Sequence, residues 1–164
     1  MADTIRTARL MLRRLEARDA EALHLFFSDP VAMAHWSKPH ETLEETKEWV
    51  RGTLSAPEEA TREYVLELAG SVIGKAGMWK RPEIGYFLAR DYWGQGLMTE
   101  ALTALLPVLH NDMHAPTLTA EMSPENAASA RVLSKVGFTE VKRGEKDYWD
   151  GEKWCDTAYY ERRA

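Results

Sequence analysis

Cysteine is nearly absent from this chain of 164 residues. Cys155 stands alone, which excludes an intramolecular disulfide framework and a cysteine-rich metal site, and suits a reducing compartment. Long apolar runs are missing as well: no segment approaches the ~18 consecutive apolar residues of a membrane span. Residues 1–14 carry four arginines among alternating apolar positions, unlike a secretory leader. A cytoplasmic protein without a membrane partner is therefore expected. Nor is there a basic excess. Acidic residues outnumber basic ones 26 to 21, giving a net charge of −5 with both signs interspersed. That balance speaks against nucleic acid as a partner and suits a cationic substrate beside an acidic pocket. No Gly-Lys-Ser/Thr occurs, so a nucleoside-triphosphate loop is excluded. No His/Asp/Glu cluster has metal-ligand spacing, and no metal is expected. Without repeats, low-complexity stretches or linkers, residues 1–164 read as one domain, long enough to bury a core unaided.

The patterning predicts about seven strands and about four helices in the order β-α-α-β-β-β-α-β-α-β-β, an α+β mixed sheet with helices on its faces. A first strand covers 10–15. A helix over 17–28 follows, with a wide apolar face of Ala20, Leu23, Phe27, Ala22, Leu25 and Phe26, stopped by Asp29-Pro30. Residues 33–41 read as a loop. Thr42 with Glu45 forms a capping box for a helix to about residue 54. Strands over 64–68 and 72–79 make a hairpin across Ala69-Gly70-Ser71. A strand over 117–122, a helix over 124–136 closed by Gly137, and a pair of strands around Asp150-Gly151 complete the chain.

Residues 83–102 are the most informative. The apolar run 84–88 fits a short buried strand, Gly94 and Gly96 free the backbone of the following turn, and a helix begins near Met98. Unpaired N–H groups and the positive end of that helix would face the turn, which makes it an anion site. A dinucleotide fingerprint does not fit: Thr99 stands where its third glycine belongs, and residues 90–93 separate strand from turn. Further on, Asn126 and Ser129 lie three apart on the first turn of a helix whose core stripe is Ala128, Val132, Leu133 and Val136.

Together these segments resemble the Gcn5-related N-acetyltransferases, the GNAT superfamily, and within them the RimJ/RimL type that acetylates N-terminal amines of ribosomal proteins. The pyrophosphate motif Gln/Arg-x-x-Gly-x-Gly/Ala maps onto Trp93-Gly94-Gln95-Gly96-Leu97-Met98, and the opening Arg9-Leu-Met-Leu-Arg-Arg-Leu15, the strand from Glu83 and Asn126-x-x-Ser129 match in order. Trp93 and Met98 depart from the motif; Met98 would crowd the pyrophosphate unless its side chain turns into the core. Leu133 occupies a position where many members of the wider family carry a tyrosine general acid.

The resemblance implies acetyl-CoA as cosubstrate, bound by Leu88, Trp93, Gly94, Gln95, Gly96, Leu97, Met98, Thr99 and Asn126. It implies direct attack by an amine acceptor, a peptide N-terminus or a small amine, with the Leu88 N–H on the developing oxyanion. Ser129 would protonate the leaving thiolate, and Glu83 and Asp147 compete as general base. His35 and Trp36 would contact the acceptor, and the protein would work as a monomer or homodimer. Cys155 is expected in the core, and Trp79, Tyr148, Trp149 and Trp154 in sheet packing. Deprotonating an α-amine at pH 7 costs only ~1.2 kcal/mol against ~4.6 for a lysine-like amine, so an ill-defined base suits the former. The alternative from another class is a non-catalytic CoA-binding module with the same fold.

Overall fold

A computed structural model describes residues 2–164. Its strands are β1 (Thr4–Arg6), β2 (Leu10–Arg14), β3 (Arg62–Leu68), β4 (Ser71–Lys80), β5 (Glu83–Leu88), β6 (Thr117–Met122), β7 (Thr139–Trp149) and β8 (Trp154–Arg163). Its helices are α1 (Ala20–Phe27), α2 (Leu43–Ser55), α3 (Leu97–Asp112) and α4 (Ala127–Lys135). All strands join one sheet in the order β1-β2-β3-β4-β5-β6-β8-β7. Eight strands replace the expected seven or so because Thr4–Arg6 pairs with Met11–Arg13 across a tight turn, a pairing too short to leave a periodic signal.

Period-two alternation divides the core between the two faces of the sheet. Tyr64 and Leu66 of β3 and Ile84 of β5 pack on α3 and α4, while Val65 and Phe87 pack on α1 and α2. Thr42 accepts from the Glu45 N–H and Glu45 reaches back to Thr42, the expected capping box that starts α2. The apolar face of α1 is narrower than expected: Leu25 is 74% exposed, and burial falls on Ala20, Leu23, Phe26 and Phe27. On α4 the stripe rests on Leu133 and Val136, whereas Ala128 faces solvent in the first turn.

Glycine lets β4 cross its neighbours more closely than a side chain permits. A Cβ at Gly77 would stand 2.3 Å from the Arg62 carbonyl oxygen. Gly77→Ala should therefore lower stability by about 1–3 kcal/mol, as overpacking does. Urea unfolding midpoints would measure it, and an unchanged midpoint would refute the close crossing.

Candidate active site

The turn before α3 has the backbone geometry of an anion cradle. Gly94 and Gly96 have φ of 72° and 74°, the left-handed region that glycine enters without strain. Gly96 is the N-cap of α3 and offers no side chain to cap it. The first intrahelical bond runs from the Glu100 N–H to the Gly96 carbonyl. By helix geometry the N–H groups of Gly96, Leu97, Met98 and Thr99 then have no acceptor within the helix, and they lie at its positive end. Leu97 and Met98 are buried among the core residues, so Met98 turns away from the cradle. Gln95 folds back to the Asp91 carbonyl. Trp93, half-exposed, donates its Nε1–H to the Leu88 carbonyl at 2.7 Å.

Beside the cradle the sheet opens. Among the described residues β5 and β6 are the one parallel pair, and they share a single register position, Glu83 with Thr119, before diverging. Ala89 donates to the Ile73 carbonyl, so odd-numbered residues of β5 bond to β4. Antiparallel alternation then turns the N–H and C=O groups of Tyr86 and Leu88 toward the opening. The Leu88 carbonyl is held by Trp93, while its N–H points into the gap.

On the α1–α2 side lies a cavity of about 970 Å³. Glu83, Glu121, Trp79, His35, Trp36 and Tyr148 all line it. Burial pushes the Glu83 carboxyl up to about 7, and the negative charge of Glu121 adds to the rise. Lys75 lines the cavity, and behind it the buried Glu63 Oε1 accepts from Lys75 Nζ at 2.8 Å. The ammonium sits 5.1 Å and 5.3 Å from the Trp36 and Trp49 ring centroids. Trp36 also packs on Phe27 and Phe87 with centroids 5.4 Å and 5.3 Å away, which fixes the loop between α1 and α2 over the cavity.

Asp147 occupies a different place. It sits in the irregular stretch of β7 between Gly144 and Tyr148, outside the cavity lining, and accepts from the Tyr159 hydroxyl at 2.5 Å. That hydrogen bond holds its carboxyl below the usual range. Cys155 is not a core residue: it is partly exposed at the cavity wall, and its thiol donates to Asp150, a hydrogen bond that raises the thiol pKa. Trp79, near the end of β4, and Tyr148, Trp149 and Trp154, where β7 meets β8, are also more open than sheet packing implies, at 44–58% exposure.

Asn126 caps α4 by accepting from the Ser129 N–H at 3.1 Å. The Ser129 hydroxyl meets the Tyr86 hydroxyl in a short hydrogen bond. Burial holds the Tyr86 phenol well above its ordinary pKa. Leu133 is buried in the core. Tyr86 and Glu121 are not evident from sequence spacing, since each depends on a contact between distant segments; Lys75 and Glu63 meet across the β3–β4 hairpin, but their burial as a pair is set by Trp36 and Trp49 above them. The only local hint was the alternation of β5, which puts Tyr86 on the α4 face. Among the described residues no group of three His, Cys, Asp or Glu could hold a metal, and no helix is long and apolar enough to cross a membrane.

The acetyltransferase (GNAT) domain family matches residues 9–139. The uncharacterised N-acetyltransferase p20 of Bacillus licheniformis is 29% identical over 146 residues, 83% of this chain and 82% of the relative. The crystal structure of a GNAT-family acetyltransferase from Bacillus anthracis is similar at 26% identity and a TM-score of 0.84, over 98% of each chain. RimL, the ribosomal L7/L12 α-N-protein acetyltransferase in complex with coenzyme A, shares the fold with a TM-score of 0.88 at 22% identity, covering 98% of this chain and 97% of its own.

Proposed function

Because the chain belongs to the GNAT acetyltransferase family, we propose that it moves the acetyl group of acetyl-CoA to a primary amine by direct attack. The acceptor is a protein N-terminal amine or a small-molecule amine. The observation that carries this reading is Glu83, a carboxyl raised to about 7 in a cavity that meets the opening between β5 and β6. A carboxyl so tuned accepts a proton near neutrality, as a general base must. The N-terminus of α3 binds the pyrophosphate through the N–H groups of residues 96–99, and the thioester arm enters the gap. The Leu88 N–H stabilises the oxyanion that forms as nitrogen adds to the carbonyl carbon. Glu83 takes the proton from the amine, and the C–S bond breaks. Ser129 donates a proton to the departing sulfur.

Met98 is buried away from the cradle and so does not obstruct it, which leaves nothing at that position to favour the non-catalytic alternative. The fold likeness to RimL, which by its name acts on an α-amine, favours an N-terminal amine as acceptor. His35 and Trp36 line the cavity that would receive it. A thiol-release assay with acetyl-CoA over short peptides of varied first residue and a panel of small amines tests the reading. Release of CoA thiol with at least one class is expected; silence across the whole panel refutes it. Asp147→Asn should leave kcat/KM within about twofold on the responding acceptor, since this carboxylate faces Tyr159. A large loss would return the base to Asp147.

A further inference from the structure

The cradle is held from outside its own motif. Arg9, in the turn between β1 and β2, donates Nη1–H to the Gln95 carbonyl at 2.9 Å and Nε–H to Glu100 Oε2 at 2.6 Å. Glu100 in turn accepts from the Arg9 backbone N–H at 2.8 Å and from the Thr7 hydroxyl at 2.6 Å. Thr7 closes the turn through the Leu10 N–H at 2.9 Å. Those bonds hold the Glu100 carboxyl below its ordinary range, so it stays ionised beside Arg9. One guanidinium thus ties a strand turn to both the last peptide of the glycine loop and the first turn of α3.

We propose that Arg9 is a positioning residue for the cofactor pyrophosphate, acting through the peptide between Gln95 and Gly96; the proposal rests on the cofactor reading given above. A trans peptide points its C=O and N–H in opposite directions. Pulling the Gln95 carbonyl toward Arg9 therefore turns the Gly96 N–H outward, to the side where the N–H groups of residues 97–99 also open. Glycine at 96, with its positive φ, leaves that peptide freer to rotate than a side chain would, so it needs an external hold. Trp93, the other large side chain at the turn, is committed to Leu88 and supplies none. The charge of Arg9 is balanced by Glu100, so its contribution is geometry and not added positive potential. Lysine cannot replace it, because a single ammonium lacks the fork that reaches a carbonyl and a carboxylate together.

Calorimetry of CoA and of pantetheine, which has the same arm without phosphates, tests this. Wild type should bind CoA, and Arg9→Gln should bind it about tenfold more weakly, one lost oriented N–H contact in affinity terms. Its affinity for pantetheine should be unchanged. Arg9→Lys and Glu100→Gln should weaken CoA in the same direction, and they carry the test if Arg9→Gln unfolds. Equal losses on both ligands, or CoA affinity unaltered in all three variants, overturn the positioning role alone. A wild-type protein that binds no CoA overturns the cofactor reading and this role with it.

Discussion

Glu83→Gln is expected to lower kcat/KM at pH 7 about 10²-fold, the lower end of the range for losing a positioned general base. Glutamine keeps the size of the side chain, so the loss reads proton transfer and not collapse of the cavity. The wild-type rate should rise with pH through about 7, where Glu83 becomes a carboxylate, and the variant should lack that limb. An amine of pKa ~8 adds its own limb in both proteins. The part of the profile that disappears in the variant is therefore the part owed to Glu83. A variant that keeps the same limb and rate would remove Glu83 from the mechanism.

The same substitution should raise stability at alkaline pH. Glu83 has its folded pKa pushed above its ordinary 4.5, to about 7, first by burial and then by Glu121. For such a group the folded state favours the protonated form. Its contribution to stability is complete below about 4.5 and is lost as pH rises through about 7. Above pH 7 the wild type holds an unwelcome carboxylate and the glutamine variant does not. Because Glu83 opens onto solvent at the cavity, the gain is discounted to about 1 kcal/mol. Thermal melts should show the variant ahead at pH 8 and level with wild type at pH 4. An active-site group that is tuned by desolvation costs stability in this way; a structural one does not.

Sequence was a good guide wherever the determinant was local. The cap of α2 needs only Thr42 and Glu45, and the cradle needs only two glycines ahead of an apolar helix. Both appear where spacing places them. It guided poorly wherever a residue's meaning depends on depth or on a distant partner. Met98 looked obstructive in a linear motif, yet the turn of α3 directs it inward with Leu97. Leu25 looked like core, but α1 meets the sheet along a narrower stripe than its composition suggested. Glu83 and Asp147 were equal candidates as carboxylates on strands. Only the fold separates one facing a desolvated cavity from one held by Tyr159 in an exposed bulge. Arg9 with Glu100, and Tyr86 with Ser129, are 91 and 43 residues apart, distances at which no periodicity speaks.

That last pair leads to the second large effect. A serine hydroxyl near the start of a helix has a competing use for its hydrogen, because it can donate back to the carbonyl one turn earlier. Tyr86 counters this. In the arrangement that would serve this role, the phenol donates to Ser129 Oγ across their short hydrogen bond, and the serine hydrogen is left free for a leaving sulfur. Ser129→Ala removes the donor and should cost roughly 30-fold in kcat. Tyr86→Phe keeps the ring in the core but frees Ser129 to back-bond, and should cost about tenfold. Since Tyr86 acts through Ser129, the double variant should be no slower than Ser129→Ala. The coupling energy then equals the whole Tyr86→Phe effect, about 1.4 kcal/mol. Costs that multiply across the cycle would mean two independent roles and would sink the pairing. Additive losses in stability alone, with kcat unmoved, would reduce the contact to packing between β5 and α4.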